Sequence, residues 1–357
     1  MAALGSPFIL HIIYYMEALL GKTLTELQDI TTSLNMPRFT AKQIAQWIYE
    51  KRVRNIEDMT NISKSHRAVL SNLYEVGIYD PTEAAVSEDG TIKYLFSTKT
   101  DKLIETVYIP DHDRATLCVS SQIGCKMNCY FCQTGKQGFN GNLTTTEILN
   151  QILSIPESLS LTNIVFMGMG EPLDNPDAVF KALEIITASW GLAWSPKRVT
   201  VSTIGQMGHL KEFLDKSQCH LAISIHSPYS QERESLMPIE KAYPIEKIID
   251  LLRKYDFSHQ RHLTFEYIVF KGLHDDVRHA NALIKLLSGI DCKVNLIRFH
   301  AIPNVELNTT NIAQMEKFRD FLNEHGLTAT IRASRGEDIF AACGMLSSLR
   351  RNRAASE

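Results

Sequence analysis

The sequence lacks a strong charge of either sign. It carries 37 Lys and Arg residues against 40 Asp and Glu residues, for a formal net charge of −3 at pH 7. Nothing in the overall charge therefore announces a nucleic-acid-binding protein, and any RNA contact must come from local basic patches. The chain also shows no internal repeat and no low-complexity segment, so a repeat architecture is not expected.

Long hydrophobic runs are also missing. The segment from Pro7 to Leu20 is apolar, but it is short for a membrane span and contains His11 and Glu17. It has neither a basic leader nor a small-residue cleavage site, so it is a poor signal peptide. We therefore expect no membrane association. We also expect residues 1–20 to be a disordered or non-native extension, with Met16 as the natural start and the first fifteen residues poorly ordered.

Cysteine usage does not fit a secreted protein. Seven cysteines are spread along 357 residues, and the odd number argues against a framework of disulfides. A reduced, cytoplasmic compartment fits this usage better. The chain is long enough to bury a sizeable core, either as one large domain or as several smaller ones.

Residues 21–80 predict a small helical domain. Two pairs fit the capping box, in which a threonine and a glutamate or glutamine three residues later cap the same helix start. These pairs are Thr23 with Glu26, and Thr40 with Gln43. Three basic residues follow the second helix: Lys51, Arg52 and Arg54. They are typical of a solvated helix end, but they would also suit a corner of an RNA-binding domain that contacts phosphates.

Residues 81–113 turn to strand patterns. The pair Asp89-Gly90 predicts a hairpin turn. The stretch from Leu103 to Ile109 alternates as a strand and places Glu105 on the same face as Val107. A carboxylate on an apolar strand face is either an edge residue that reaches solvent or a partly desolvated base, and spacing alone leaves both possibilities open.

Residues 114–334 alternate strands with helices. This order predicts a parallel sheet with right-handed crossovers. About six such units are too few for a closed TIM barrel, so we expect an α/β fold with an open, partial TIM-like (βα)6 barrel. Residues 335–357 would follow as a C-terminal loop and a basic tail. The predicted strands are 115–121, 162–168, 197–203, 221–226, 262–270, 293–299 and 327–333.

Three closely spaced cysteines follow the first of these strands: Cys125, Cys129 and Cys132. A cubane iron–sulfur cluster is usually held by four thiolates, so three would leave one iron open for a substrate or cofactor. A zinc site would need a fourth Cys or His at short spacing, and none follows before Thr144. The spacing therefore favours an iron–sulfur cluster over zinc or three unrelated thiols.

Small and polar residues stand at the ends of the other predicted strands. The turn Gly168–Pro172 follows the second strand, where its glycines let the backbone approach a ligand closely. The later strand ends carry Ser202, Ser224, Ile225, His226, Asn295, Arg298 and His300. A single Ser or His at such a place is more often a satisfied polar residue than a ligand. The convergence of several strand ends on one rim nevertheless favours a binding site.

Two further cysteines lie near this rim in the predicted order. Cys118 stands on the first strand, and Cys343 follows the last strand among small residues that end in Gly344. Cys343 is either a nucleophilic thiol on a flexible loop or a small packing residue, and the sequence leaves the two equally open. Cys219 and Cys292 flank strands in apolar surroundings, and we expect both to be structural.

Taken together, these motifs resemble one family, the radical S-adenosylmethionine (SAM) RNA methyltransferases of the RlmN/Cfr type. The three-cysteine loop, with an aromatic residue before its last cysteine, is typical of radical SAM enzymes in general. The stretches that resemble the family are Arg114–Gln122, Gln137–Leu143, Phe166–Pro172, Val199–Thr203, Ala222–His226, Val294–Ile297 and Arg335–Gly344. The resemblance implies a radical SAM partial barrel, preceded by an accessory RNA-binding domain and a β-extension.

The resemblance also implies roles for individual residues. Cys125, Cys129 and Cys132 would hold a [4Fe-4S] cluster whose open iron binds SAM. The other SAM contacts would be Gly170, Glu171, Ser202, Ser224, Ile225, His226 and His300. The family usually has asparagine where this chain has His300, and a neutral imidazole can replace the donor and acceptor of an amide.

The family's scheme gives the remaining site residues their parts. The thiolate of Cys343 takes a methyl group from one SAM, and a second SAM supplies the radical that removes hydrogen from it. The resulting carbon radical adds to adenine, which must leave its stack to reach the site. Cys118 then attacks Cys343 and forms a disulfide as the methylated base departs, while Glu105 accepts a proton. This route suits an aromatic C–H carbon, which has no electron pair to offer an ordinary methyl donor.

The family's RNA substrates are an adenosine in the peptidyl-transferase centre of 23S rRNA and the purine beside the anticodon of some tRNAs. Gly168–Leu173 and Arg335–Asp338 resemble members that methylate C2, whereas Ser227–Ser230 resembles Cfr, which methylates C8. We therefore predict C2 methylation of adenosine and keep C8 as the alternative. The resemblance further implies an electron donor of the flavodoxin or ferredoxin type.

Overall fold

The computed structural model describes residues 16–347 of the 357-residue chain. Most of the expected N-terminal extension lies outside the described residues, as does the basic tail with Arg350, Arg351 and Arg353. The chain divides into two compact units, the first ending at Gly77 and the second beginning at Ile78. The predicted boundary between residues 80 and 81 falls a few residues later.

The first unit is mainly helical. Its helices are α1 (Leu24–Ser33), α2 (Thr40–Ala45) and α3 (Lys64–Leu73), with a π-helical turn at Gln46–Glu50 and a 3-10 turn at Ile56–Asp58. The capping box of α1 is confirmed: the Thr23 hydroxyl accepts the Glu26 N–H, and the Glu26 carboxylate accepts the Thr23 N–H. The capping box expected for α2 is wrong. Phe39 takes the cap position with helical backbone angles, and Thr40 is buried inside the first turn.

The start of the first unit differs from the expected extension. Glu17–Ala18 forms the short strand β1, which pairs in parallel with β2 at Tyr74–Glu75. Leu19 and Leu20 follow and are fully buried, and their N–H groups donate to backbone carbonyls beside β2. The prediction of a disordered extension up to residue 20 is therefore wrong for these last residues, because two leucine side chains are removed from water there.

Twelve strands belong to the second unit as far as the structure describes it, up to residue 347. They are β3 (Glu83–Val86), β4 (Ile92–Ser97), β5 (Leu103–Asp111), β6 (Arg114–Cys118), β7 (Gln122–Gly124), β8 (Phe139–Asn142), β9 (Asn163–Phe166), β10 (Val199–Thr203), β11 (His220–Ser224), β12 (Leu263–Val269), β13 (Lys293–Arg298) and β14 (Ala329–Ile331). Strands β7 and β8 form a hairpin of their own, and the others form one ten-stranded sheet in the order β14-β13-β12-β11-β10-β9-β6-β5-β4-β3.

Helices alternate with the strands of the large sheet. They are α4 (Gln133–Lys136), α5 (Thr145–Leu153), α6 (Pro176–Thr187), α7 (Met207–Lys216), α8 (Ser230–Leu236), α9 (Ile245–Leu252), α10 (Val277–Leu287) and α11 (Ile312–Glu324). Short 3-10 turns occur at Pro156–Leu159, Pro172–Asp174, Pro196–Arg198 and Pro238–Lys241. No helix within residues 16–347 is long and apolar enough to cross a bilayer.

The large sheet has a parallel part and an antiparallel part. Strands β6 and β9 to β14 pair in parallel, with a helix between each strand and the next. Strands β5, β4 and β3 continue the sheet from β6 in antiparallel order, so the predicted β-extension is part of the same sheet. Over the described residues β3 and β14 remain unpaired edges and the sheet does not close. The predicted open, partial α/β barrel is confirmed.

The parallel order places the predicted functional residues at one edge of the sheet. The carboxyl ends of parallel strands meet at the same edge, and ligands bind there in barrels of this kind. The cysteine loop follows the short strand β7, and the glycine turn follows β9. His226 and His300 come directly after β11 and β13. Residues that are far apart in the sequence of the second unit are thus brought to the same edge of the sheet.

Candidate active site

Backbone hydrogen bonds shape the three-cysteine loop. It runs from β7 into α4, and Cys132 stands at the N-cap of that helix. The N–H of Cys125 donates to the carbonyl of Gly138 at 3.0 Å, and the N–H of Cys132 donates to the carbonyl of Cys129 at 3.1 Å. These hydrogen bonds close the loop into a compact turn that presents three thiols from only eight consecutive residues, Cys125–Cys132.

The thiols face an apolar cluster. Its buried members are Met127, Cys129, Phe131, Ile204, Leu236, Met237, Ile268, Phe270, Ile297 and Phe299, and Cys125 and Cys132 pack against them. Burial raises the pKa of all three thiols, to about 12 for Cys125, and the neighbouring thiols raise it further for Cys125 and Cys129. Three thiolates therefore need a strong positive charge among them to exist here.

The residues present fit an iron–sulfur cluster. Soft thiolate donors on one short loop are its usual ligands. The buried guanidinium of Arg233 lowers the pKa of Cys129, and it is itself held by an ion pair with Glu240 and by the carbonyls of Ile204 and Ser224, both at 3.1 Å. No three His, Cys, Asp or Glu side chains in the described part of the chain are arranged to hold a single metal ion. A cubane differs in that each thiolate bonds a different iron.

The glycine turn after β9 packs against the residues that lead into the cysteine loop. Gly170 has φ +101°, and a Cβ on it would come within 2.5 Å of the Gln122 side chain, so only glycine fits. The buried carboxylate of Glu171 accepts two backbone N–H groups, each at 3.0 Å, and the Thr203 hydroxyl at 2.6 Å. Burial raises the pKa of Glu171 to about 7 in spite of these bonds. Because the Glu171 carboxylate already accepts these hydrogen bonds within the protein, a ligand at the turn would contact the backbone of Gly170 and Glu171.

The ends of β10 and β11 bring the next predicted residues to the same edge. Ser202 and Ser224 are half-buried, while Ile225 and His226 are buried. His226 has φ +53°, and its Nδ1 accepts an N–H from β12 at 3.1 Å. Its ring packs edge-to-face with Phe131, with the ring centroids 4.7 Å apart. Burial and the nearby Arg233 hold its pKa well below the usual value, so the imidazole is neutral. His226 thus connects the strand end to the cysteine loop.

A cavity of about 360 Å³ opens at this edge. Its wall includes Cys132 of the cysteine loop, Cys118 at the end of β6, Cys343, and His300 after β13. His300 is buried, and its Nε2 lies 3.1 Å from the Ser334 hydroxyl. Two thiols that were predicted to be catalytic and one predicted cluster ligand therefore share one space, although they come from distant parts of the chain.

Arg332 lines the same cavity and was missed by the sequence analysis. Its guanidinium lies 3.1 Å from the sulfur of Met167 and 3.8 Å from a carboxylate oxygen of Glu266. The electrostatic interaction with the Cys343 side chain is the largest cause that raises the pKa of Arg332. Burial raises the pKa of Cys118 to about 12, and Arg332 opposes this effect. A cation beside two thiols favours their reactive, ionised forms. The only signal in the sequence was its position near the end of the last predicted strand, 327–333.

Glu105 is not among the described residues that line the cavity. It is buried on β5, where one carboxylate oxygen lies 2.9 Å from Nζ of Lys93 and the other accepts the N–H of Ser347 at 2.7 Å. The interpretation of Glu105 as an edge residue that reaches solvent is wrong, because the side chain is buried and forms an ion pair with Lys93. Lys93, which no sequence pattern singled out, balances its charge.

The loop that carries Cys343 is attached to the β3–β4 turn. The carboxylate of Asp338 accepts the Ser87 hydroxyl at 2.5 Å, and the carboxylate of Asp89 accepts the N–H of Gly336 at 2.9 Å. Both bonds lie before Cys343 in the chain. They fix the start of the loop to the antiparallel part of the sheet.

The same loop is attached to the cysteine loop after Cys343. The N–H of Gln133 donates to the carbonyl of Gly344 at 2.8 Å, and the Thr134 hydroxyl donates to the carbonyl of Leu346 at 2.8 Å. Cys343 itself is exposed between these attachments. All seven cysteines lie within the described residues and are free thiols.

Two family models match the sequence. The radical SAM superfamily model matches residues 119–283, which begin just before the cysteine loop and include β9 to β12. The model described as the N-terminal domain of ribosomal RNA large subunit methyltransferase matches residues 18–76, which fall in the first unit. The second match ends one residue before the boundary between the units, and the first lies wholly within the second unit.

Whole proteins of several bacteria are similar over nearly the full length. The probable dual-specificity RNA methyltransferase RlmN of Parabacteroides distasonis is 64% identical, over 92% of this chain and 96% of that protein. The dual-specificity RNA methyltransferase RlmN of Campylobacter curvus is 42% identical, over 96% of both. The crystal structure of a radical SAM methyltransferase from Sphaerobacter thermophilus aligns with a TM-score of 0.88 at 36% identity, covering 93% of this chain and 100% of the other.

Proposed function

Because this chain belongs to the RlmN family of radical SAM enzymes, we propose that it transfers methyl groups from SAM to RNA. The proposed products are C2-methylated adenosines, one in the peptidyl-transferase centre of 23S rRNA and one beside the anticodon of tRNAs. The relatives from Parabacteroides distasonis and Campylobacter curvus are named dual-specificity RNA methyltransferases, which supports two RNA substrates here.

The shared cavity carries this proposal. Cys118, Cys132 and Cys343 line one space of about 360 Å³. An aromatic C–H carbon is not a nucleophile, so the carbon unit has to arrive by a radical route and the product then has to be released from the protein. One thiol can carry the methyl group and a second can release it. A radical SAM enzyme that acts without a protein-bound methyl group would need neither of them.

The proposed cofactors are one [4Fe-4S] cluster and two SAM molecules per turnover. Cys125, Cys129 and Cys132 would hold the cluster. Residues proposed to contact SAM are Gly170, Glu171, Ser202, Ser224, Ile225, His226 and His300. When bound, these cofactors supply the one-electron chemistry that makes a methyl group into a carbon radical. The apolar cluster behind the thiols excludes water from this chemistry.

The thiols of the chain would perform the covalent steps. The Cys343 sulfur attacks the methyl carbon of SAM, so an S–CH3 bond forms and S-adenosylhomocysteine leaves. Once the carbon has joined adenine, the adduct loses its C2 proton to Glu105 and its unpaired electron to the electron-transfer partner. Cys118 then attacks the Cys343 sulfur, and an S–S bond replaces the S–C bond. The electron pair of that bond goes to the departing carbon, which takes up a proton and becomes the methyl group. Two electrons then reduce the disulfide before the next cycle.

Glu105 is the proposed acceptor of the adenine C2 proton. Lys93 at 2.9 Å stabilises its ionised form, which is the form that can accept a proton. Its second oxygen is engaged by Ser347 N–H at 2.7 Å. The hydrogen bond from Ser347 therefore has to break before the Glu105 carboxylate can accept a proton from an adenine in the cavity.

The proposed setting is a reducing cytoplasm. Every thiol of the chain is free, and the proposed chemistry needs Cys118 and Cys343 reduced at the start of each cycle. A flavodoxin or ferredoxin-type protein would supply the electron for the cluster. Local basic residues such as Lys51, Arg52 and Arg54 would give the first unit its part in RNA binding.

The test is an anaerobic reaction of the reconstituted protein with SAM, a one-electron donor and two unmodified RNAs, a 23S rRNA fragment and a tRNA. Digestion to nucleosides and mass spectrometry against 2-methyladenosine and 8-methyladenosine standards identifies the methylated carbon. We expect 2-methyladenosine from both RNAs. Product at C8 alone would refute the C2 assignment and favour the Cfr-type alternative. An absence of methylation in both RNAs would refute the proposed activity.

A further inference from the structure

The mouth of the cavity has a charged wall that the proposed chemistry does not use. Asp111 and Arg114 face each other at the end of the β5–β6 hairpin, where they are register partners. Arg335, on the C-terminal loop, donates to the Asp111 carboxylate at 2.9 Å. All three side chains line the cavity. We call these three residues the arginine rim.

The arginine rim has more positive than negative charge. Arg114 is exposed and has no ion-pair partner within residues 16–347, and the Arg335 and Asp111 side chains are 30% and 50% exposed. Arg335 already offers one N–H to Asp111, but a guanidinium has five donors in a planar fork. The rim can therefore bind an anion from solvent with Arg114 and with the remaining donors of Arg335.

We propose that Arg114 and Arg335 bind the phosphodiester groups of the RNA strand next to the target adenosine. This inference rests on the proposed function, because an adenine that reaches Cys118 and Cys343 must bring its own backbone to the mouth of the same cavity. Arginine is well suited to phosphate because the two groups can form paired, charge-assisted hydrogen bonds. Such contacts fix the position of the strand and carry no sequence information.

Two other roles for the arginine rim give different results on mutation. The arginines could bind the carboxylate of SAM, which is also an anion. They could instead be purely structural, with Arg335 and Asp111 joining the C-terminal loop to the hairpin. If the arginines contact phosphate, their substitution weakens RNA binding alone. If they contact SAM, it slows methyl transfer to Cys343. If the ion pair is only structural, substitution of Arg335 and substitution of Asp111 have the same effect.

The experiment compares full-length Arg114→Gln, Arg335→Gln and Asp111→Asn proteins with the unsubstituted protein. Arg319→Gln is the matched control, because Arg319 lies on α11, does not line the cavity and pairs with its neighbour Asp320. Two quantities are measured for each protein. One is the Kd for a labelled tRNA anticodon stem-loop as a function of salt. The other is the RNA-independent methylation of Cys343 by labelled SAM, followed by mass spectrometry.

We expect Arg114→Gln to weaken RNA binding about tenfold and to reduce the slope of log K against log salt by about 0.7, the value for one phosphate contact on a single strand. Arg335→Gln should act in the same direction. Asp111→Asn should tighten RNA binding about two- to threefold, because it removes an anion and releases Arg335. Methylation of Cys343 should be unchanged in all of these proteins, and Arg114→Lys should recover part of the lost affinity.

Three outcomes would overturn the inference. They are unchanged RNA affinity in Arg114→Gln, slowed methylation of Cys343 in the arginine variants, and weakened RNA binding in Asp111→Asn to the same degree as in Arg335→Gln. The proposed function fails separately, if the unsubstituted protein methylates neither Cys343 nor RNA.

Discussion

Cys343 and Cys118 line one cavity but have different surroundings. Cys343 is exposed on a loop, whereas Cys118 is buried at the end of β6 with a pKa raised to about 12. The thiolate is the nucleophile in both proposed steps. The exposed thiol is therefore suited to the first attack, on SAM. The buried thiol depends on the nearby Arg332 to attack second, when Cys343 already carries the nucleic acid.

This order predicts different failures for the two cysteine variants. Cys343→Ala should lose both protein methylation and RNA methylation, because no sulfur remains to accept the methyl group. Cys118→Ala should still accept the methyl group but stop after the carbon has joined adenine, so that protein and RNA remain covalently linked. A denaturing gel of the anaerobic reaction, with and without ribonuclease, detects this species.

The matched control is Cys292→Ala, since Cys292 lies before β13 and does not line the cavity. It should methylate RNA at the rate of the unsubstituted protein. Full turnover by Cys343→Ala would contradict the proposed route and would favour a radical SAM enzyme that works on its substrate directly.

Residues joined by short spacing could be predicted, and residues joined only by folding could not. Cys125, Cys129 and Cys132 stand out in the sequence because their spacing lies within a single loop, and in the structure all three meet the same apolar cluster. Lys93 and Arg332 carry no local pattern, and their partners lie on other strands or loops. The sequence shows that Lys93 and Arg332 are basic, but only the order of strands in the sheet shows which carboxylate lies beside each of them.

At the scale of elements, the attachment of the C-terminal loop to the β3–β4 turn has a measurable pH dependence. Burial raises the pKa of Asp89, but hydrogen bonds from Thr91 and Gly336 outweigh it and bring the pKa to about 2, from 3.8. A carboxyl group with a depressed pKa stabilises the folded state above its unfolded pKa, and that stabilisation is lost as the pH falls toward the folded pKa. The stability contributed by Asp89 is therefore lost as the pH falls from about 3.8, the unfolded pKa, to about 2, the folded pKa.

Asp89→Asn should therefore lower the free energy of unfolding at pH 7 by about 1 kcal/mol, a value kept small because Asp89 is exposed. The difference from the unsubstituted protein should shrink as the pH is lowered below about 4. Urea unfolding followed by circular dichroism at several pH values measures it. Asp113→Asn, in the neighbouring β5–β6 turn, should change stability little at any pH. An equal effect of both substitutions would show that the bond to Gly336 contributes nothing.

Elements were predicted best where one local interaction decides them. The capping box at Thr23 formed because threonine and glutamate could both reach the first turn of α1. The one expected at Thr40 failed because burial took Thr40 into the helix and left Phe39 at the cap. The alternation of strands and helices predicted the parallel sheet, since each crossover needs a helix of its own. That Leu19 and Leu20 belong to the first unit depends on β2, more than fifty residues later in the chain.

At the scale of the whole molecule, the proposed cluster site requires all three cysteines of one loop. Cys129→Ala, made without the other substitutions, should reduce the iron and sulfide content from about four of each per protein to near zero. The physical reason is that two thiolates in an apolar pocket cannot hold the remaining cluster against solvent and oxidation. Iron and sulfide analysis after anaerobic reconstitution gives the result.

Cys219→Ala is the control, because Cys219 is buried before β11 and away from the loop. It should keep the brown colour and the iron of the unsubstituted protein. A colourless unsubstituted protein that contains zinc would contradict the cluster and would indicate a structural metal in an RNA-binding protein.

The bonds that join Gln133 and Thr134 to Gly344 and Leu346 have a consequence for biosynthesis. Leu346 is made 212 residues after Thr134, and it contributes to the wall of the cavity. On the ribosome, the cysteine loop therefore exists for a long interval without this wall.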